Sequence, residues 1–376
     1  MYVSRTQSHR APGSLLPVLL SIFAVVGTVA IWAAFMARPL GREGPLSPAV
    51  GLVDPARVRS VAYSVPSSDP AERVDYVYVR APSGDAEPRR IASLPYVLGL
   101  HARGSASPLA DSLAVLSVSN YPGTFARLTL LGTIDRRSID VAGEFDYLSE
   151  LAWSPDGAKV AVAAHAEADD TGHATLSVVE VNARTGEVTP AATFDGVLEA
   201  QPVGYSADGT RLYIAVIGPS GSTLWVERSG RQERVGTLSA GRTRDWALSP
   251  DGARLAYVDV RPDGGRTYVG RTMLLATGDV TDLPAAADQL GAVWTPGSEV
   301  PEFGGPGGSV QLSAASGDAA YVIPVRWSPD GSLLATRVAG VGGARAESIQ
   351  LATATSRVLL ADVPGAAVFG FVLDVD

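Results

Sequence analysis

The sequence predicts an all-β fold: a β-propeller of about seven four-stranded blades, closed by the C-terminal strand and preceded by one N-terminal transmembrane helix. Three observations predict it. A turn phrase returns at blade spacing, strand-like runs follow each copy, and one long apolar stretch near the start carries no charge. The phrase stands as Trp153-Ser154-Pro155-Asp156-Gly157 and again as Trp327-Ser328-Pro329-Asp330-Gly331. Tyr205-Ser206-Ala207-Asp208-Gly209 and Leu248-Ser249-Pro250-Asp251-Gly252 are variants, and Trp294-Thr295-Pro296-Gly297 is a degenerate copy. Successive copies lie roughly 33 to 52 residues apart, the period of propeller blades.

The phrase is a turn with a physical cause. Ser bonds the turn backbone, Pro presets φ for the second position, Asp tolerates the third, and Gly takes the left-handed conformation that opens the next strand. Apolar, partly alternating runs follow: Lys159 to Ala163, Arg211 to Ala215, Arg254 to Val258 and Leu333 to Thr336. A third strand follows a polar hairpin, as in Leu176 to Val181. A fourth follows a Thr-Gly or Ser-Gly turn, as at Thr185-Gly186 and Ser229-Gly230. Four short antiparallel strands per repeat make one blade.

The phrase and its following Val-Ala or Leu-Ala strand resemble the WD40-like repeat of TolB-type propellers, found also in propeller domains of some peptidases. The match is carried by Trp153 to Gly157 and Trp327 to Gly331, less fully by Tyr205 to Gly209 and Leu248 to Gly252, and is absent before residue 144. The resemblance implies the fold and no catalytic residue.

Residues 96–143 hold four strand-like runs, including Ser112 to Val118 and Ala126 to Leu131. Residues 57–95 hold three: Val58 to Val65, Val74 to Val79 and Arg89 to Leu94. The run Ala366 to Asp374 supplies the missing inner strand, which joins the two ends of the ring and removes an open edge. The count is about seven, with six as the alternative, because residues 285–322 are Gly-rich and Gly304-Gly305-Pro306-Gly307-Gly308 reads as a loop.

Residues 1–13 read as a short polar tail and 14–36 as a transmembrane helix. Ser14 to Met36 contains no charged residue and is long enough to cross a bilayer. Cysteine is absent, which excludes a lipid-modified cysteine. Phe35 spoils the small-x-small pattern that cleavage near Ala37 would need. An uncleaved anchor is therefore expected. Arg5 and Arg10 on one side nearly balance Arg38 and Arg42 on the other. The expected plan is a cytoplasmic tail and an extracytoplasmic propeller. Residues 37–56, rich in Pro and Gly, read as an extended linker, and 57–376 as the propeller.

The chain has 30 basic and 39 acidic residues. Phosphate contacts need a basic face, so nucleic acid is excluded as a main partner, and so is tight binding of the ring to anionic lipid. Lys159 is the sole lysine against many arginines, a composition of GC-rich genomes that points to a bacterial source, and with the expected anchor to the bacterial cell envelope.

Chemistry-bearing motifs are few. His165, Asp169, Asp170 and His173 have metal-like composition, yet they sit on a hairpin tip, where polar residues are ordinary, so no metal is expected. No nucleophile elbow, Walker loop or dinucleotide fingerprint is present, and no cofactor is expected. Asp156, Asp208, Asp251 and Asp330 read as turn residues. Trp153, Tyr205, Trp294 and Trp327 share one repeat position and read as packing between blades. Tyr147, Glu150, Glu199, Gln201, Arg244, Asp245, Trp246 and Arg326 are the polar and aromatic variation on the inner strands and the loops leading into them, where a ligand or partner peptide would enter. The expected function is a membrane-anchored protein–protein interaction or scaffold module, its partner another membrane or envelope protein. The alternatives are an enzyme or small-ligand sensor with a site at the channel mouth, and an accessory subunit of a membrane complex.

Overall fold

The computed structural model describes Asp54, 57–58 and 60–373, apart from residues 70, 83–86, 98, 119–124, 166–174, 264–265, 285–287, 307, 310–311, 314–319, 341–346 and 354–355. The expected membrane segment 14–36 and nearly all of the linker lie outside these residues. Among the described residues no helix is long and apolar enough to cross a membrane.

The closing strand falls where the sequence places it. Ala367–Val372 pairs antiparallel with Ser60–Pro66, and the sheet continues through Val74–Arg80 and Arg89–Pro95. This first blade thus joins the two ends of the propeller. The second blade is Arg103–Ala106, Ser112–Ser117, Phe125–Gly132 and the three-residue Ser138–Asp140, with Phe145–Asp146 added beside the third strand. The third blade is Ala152–Trp153, Lys159–Ala163, Thr175–Asn182 and Val188–Asp195. The fourth is Glu199–Tyr205, Leu212–Gly218, Gly221–Arg228 and Arg231–Ser239. The fifth is Arg242–Leu248, Arg254–Asp263, Arg266–Leu274 and Val280–Asp282.

The propeller has six blades, the lower of the two expected counts. The strands of two expected blades merge in one sheet: Leu290–Trp294, Pro301–Pro306, Ala320–Trp327, Leu334–Gly340, Ser348–Ala352 and Arg357–Ala361. Among the described residues, the two short strands that follow Pro301–Pro306, Gly308–Ser309 and Leu312–Ser313, pair only with each other. Pro301–Pro306 itself joins Ala320–Trp327 through Gly305 opposite Val322 and Pro306 opposite Tyr321. The glycines expected in a loop are therefore partly in a strand. A Cβ on Gly304 would strike the Val322 carbonyl oxygen, and one on Gly305 the Asp288 carbonyl oxygen. Glycine is required there by close backbone approach rather than by a turn.

The turn phrases behave alike. In each, the Ser hydroxyl donates to the Asp two residues on, at 2.6 Å for Ser154 to Asp156 and 2.5 Å for Ser328 to Asp330. The Asp also accepts a backbone N–H two residues further, as from Ala158 at 3.0 Å and Thr210 at 3.1 Å. The glycine has φ of 65° to 69° in all four full copies. These bonds hold the carboxyls below the usual range, chiefly through the Ser hydroxyl: Asp156 and Asp251 are lowered, and Asp208 falls to about 2. A carboxylate with a lowered folded pKa stabilises the fold above its unfolded pKa and loses that contribution as pH falls through the folded value. Urea-unfolding stability is therefore expected to decline as pH falls from about 4 to about 2, and Asp208→Asn to flatten that decline.

A further copy of the turn is present where the sequence shows no phrase. Ser107-Pro108-Leu109-Ala110 closes with an Ala110 N–H bond to the Ser107 carbonyl at 2.9 Å, as Gly157 does to Ser154 at 2.9 Å. Ala110 holds φ of 58°, the glycine's conformation, and Asp111 takes over as partner of the Ser107 hydroxyl at 2.9 Å. Ala110→Gly is expected to raise stability by about 1 kcal/mol in urea denaturation, because it relieves the left-handed strain of an L-residue.

The shared aromatic position ties each blade to the one before. Trp153 Nε1 donates to the Ser105 carbonyl at 3.1 Å, and Trp294 Nε1 to the Ala247 carbonyl at 3.0 Å. Tyr205 donates its hydroxyl to Glu180 at 2.8 Å, and burial and this carboxylate raise its pKa. Trp327 is the exception, since it clusters with Val293, Leu334 and Ala352 inside the sixth blade. The core accordingly lies between blade faces, as where Ala161, Val178 and Phe194 meet Tyr205 and Ile214. Tyr205→Phe is expected to cost about 1 kcal/mol in the same assay, the net worth of one hydrogen bond.

Candidate binding site on the inner strands

The inner strands bring polar side chains together because each presents the residues just before its turn to its neighbours. Arg103, in the second blade, donates to the Tyr147 carbonyl at 2.7 Å and stands 4.0 Å from the Glu150 carboxylate. Tyr147 returns its hydroxyl to the His101 carbonyl at 2.8 Å, and burial pushes its pKa up to about 12. Gln201, in the fourth blade, accepts the Glu150 N–H at 2.9 Å. Glu199 pairs with Arg242 on the fifth. Arg244 donates to Asp245 at 3.0 Å, and Asp245 accepts the Gly291 N–H of the sixth blade at 3.0 Å. Arg326 donates to the Phe369 carbonyl at 3.1 Å and the Ser105 hydroxyl at 3.3 Å.

All eight residues singled out in the sequence thus take part in polar contacts along the inner strands and the loops leading into them. Trp246 stands apart. It is buried among Val203, Tyr213, Leu248 and Tyr257, and its indole N–H reaches Thr243 at 3.2 Å. Its role is packing between the fourth and fifth blades. Tyr147, Glu150, Gln201, Arg244 and Arg326 are buried, with Gln201 at 0 % exposed and Arg326 at 2 %. Arg244 turns its guanidinium to Asp245 beside it on the same strand, whereas the contacts named above for the others cross to neighbouring strands and loops. Glu199 and Asp245 are partly exposed.

Sequence reading missed Arg103, His101 and Asp75. The Asp75 carboxylate is fully buried, holds His101 Nδ1 at 2.9 Å and accepts the Ala102 N–H at 2.5 Å, so it fixes the entry to the second blade's inner strand. The signal that would have found Arg103 is the degenerate Ser107-Pro108 turn, which places Arg103 near the position of Glu150 and Arg244. Of the metal-like cluster, Asp169, Asp170 and His173 lie outside the described residues. The His165 ring lies 5.3 Å from that of Phe125, and its backbone N–H donates to the Glu144 carbonyl at 2.9 Å. Among the described residues no group of three His, Cys, Asp or Glu side chains is arranged to hold a metal.

No protein-family model and no curated protein sequence matches the chain. Solved structures do. TolB from Acinetobacter baumannii is 15 % identical with a TM-score of 0.49, the alignment covering 82 % of this chain and 66 % of that one. The acylaminoacyl peptidase of Pyrococcus horikoshii is 12 % identical with a TM-score of 0.55, over 81 % of this chain and 51 % of that one. The β-propeller domain of the Trilobed protease from Pyrococcus furiosus, described as having an open velcro topology, is 11 % identical with a TM-score of 0.53, over 81 % and 92 %. The chain thus spans just under two thirds of the TolB chain and about half of the peptidase. These likenesses are of fold alone: the chain is an all-β, six-bladed propeller, similar in fold to the Pyrococcus horikoshii acylaminoacyl peptidase and to the β-propeller domain of the Trilobed protease.

Proposed function

We propose that this chain is a membrane-held propeller that acts as a protein–protein interaction module, with residues 14–36 as its anchor, residues 37–56 as a spacer and the ring on the extracytoplasmic side. The observation that carries the reading is the pairing of an uncharged apolar segment at 14–36 with a ring closed on itself by its own terminal strand. A ring fastened in this way offers a preformed surface, which lowers the ordering cost of binding. The partner is a membrane or envelope protein, met by a chain whose charge balance is acidic.

A second reading, a small-ligand sensor or enzyme, is favoured by the charged groups the inner strands carry, the pairs Arg103–Glu150 and Arg244–Asp245 and the buried Arg326. It is the weaker of the two, because these groups are engaged in fastening strands to each other. Fractionation in a bacterial host tests the anchor. The full chain is expected in carbonate-washed membranes, with its propeller digested by protease added to intact spheroplasts, while a chain begun at residue 57 is soluble. A soluble full chain, or a propeller protected inside intact spheroplasts, would overturn the proposal.

A further inference from the structure

We infer that the cleft between the first and second blades binds an extended acidic peptide segment of a partner protein; the inference rests on the reading of the propeller as an interaction module. The cleft has a volume of about 390 Å³. One wall is Ile91 to Pro95, five successive residues of the first blade's outermost strand. Leu94 of this wall is buried in the core between the two blades, with Ile91 and Ala92 packed on it, and the strand is the last of its sheet, so one backbone edge is free. That edge pairs with no strand among the described residues. The cleft is open because the second blade's outer strand, Ser138–Asp140, covers only Thr129 to Leu131 of its neighbour.

The opposite wall carries Arg127, Arg136 and Arg137. Arg137 is engaged, 4.0 Å from Asp135 and 3.5 Å from the Ala183 carbonyl. Asp140, the one acid lining the cleft, accepts from the Thr129 hydroxyl at 3.0 Å. Arg127 and Arg136 are exposed and make no ion pair with a described residue. A cationic lining is the reverse of this chain's net charge of −9.

Arg136 supplies an independent observation. It holds φ of 55°, in the turn between the third and fourth strands. The same position of that turn is Gly186 in the third blade, at φ 74°, and Gly278 in the fifth, at φ 76°. An arginine here keeps a left-handed conformation that glycine adopts without strain. It sets a guanidinium on the rim of the cleft. A free strand edge is read by another backbone, and arginines beside it select carboxylate side chains on that strand. Leu94 and Leu131 are buried at the cleft's base and suit the apolar face of such a strand.

Fluorescence anisotropy of the full chain in mild detergent tests this. The probes are labelled peptides of about ten residues, one alternating Glu and Val and one alternating Lys and Val. The Glu peptide is expected to bind below about 1 mM and the Lys peptide not to bind. Arg136→Gly is expected to weaken the Glu peptide by about fivefold while leaving thermal stability equal or higher, so lost binding cannot be ascribed to misfolding. Arg127→Gln with Arg136→Gly is expected to weaken it by about tenfold or more. Absence of Glu-peptide binding, equal affinity for the Lys peptide, or unchanged affinity in the double variant would overturn the inference. Displacement by inorganic phosphate at equal concentration would also overturn it, assigning the cleft to a small anion. Should the double variant capture the same cellular partner as the parent chain, the cleft is refuted and the interaction module stands.

Discussion

Phe369→Ala is expected to destabilise the propeller by about 3–5 kcal/mol, the cost of removing a fully buried aromatic ring from a packed core. Phe369 lies on the strand that closes the ring and is 0 % exposed. It packs with Val77 and Val79 of the first blade and Leu113 and Val115 of the second. A Cβ on Gly104 would approach its ring to 2.8 Å, so the aromatic ring lies against the next inner strand and has nowhere to relax. Urea denaturation followed by tryptophan fluorescence measures the loss. Leu359→Ala, on an outermost strand and 52 % exposed, is the control and is expected to stay within about 0.5 kcal/mol. Equal effects at the two positions would mean that the closing strand does not secure the ring.

Arg326→Leu is expected to cost about 2–4 kcal/mol, since it deletes charged hydrogen bonds and leaves buried carbonyls without donors. Arg326, in the sixth blade, bridges to two others, reaching Phe369 of the first at 3.1 Å and Ala106 and Ser105 of the second at 3.5 and 3.3 Å. Gly370 leaves room for it, because a Cβ there would strike Nη1. The geometry demands a fork of donors, so Arg326→Lys is expected to recover only part of the loss. Full recovery by lysine would show that charge alone matters at this seam.

How far the sequence spoke can be judged from these residues. The Ser-Pro-Asp-Gly turns, the aromatic before them and the closing strand were legible because each is local: a φ preset, a left-handed glycine, an apolar run without a partner. The blade count was not. Gly304 and Gly305 look like loop residues until Val322 and Asp288 are brought against them, and nothing near them in the sequence announces that approach. The turn at Ser107 to Ala110 escaped because both its Asp and its Gly are replaced, although the hydrogen bonding survives. The polar character of the inner-strand residues was legible in the sequence. Their burial was not, since a polar residue on an inner strand reads the same whether it meets water or the next blade. The cleft between the first two blades is a product of one short outer strand and could be seen only in three dimensions.

The most direct test of the propeller as a membrane-held interaction module is affinity capture from mild detergent, with the tagged full chain beside a form lacking residues 1–36. The account predicts the same stoichiometric protein partner with both forms, which places binding on the propeller. A partner recovered only with the full chain would contradict it by moving recognition to the apolar segment, and no partner with either form would contradict it outright.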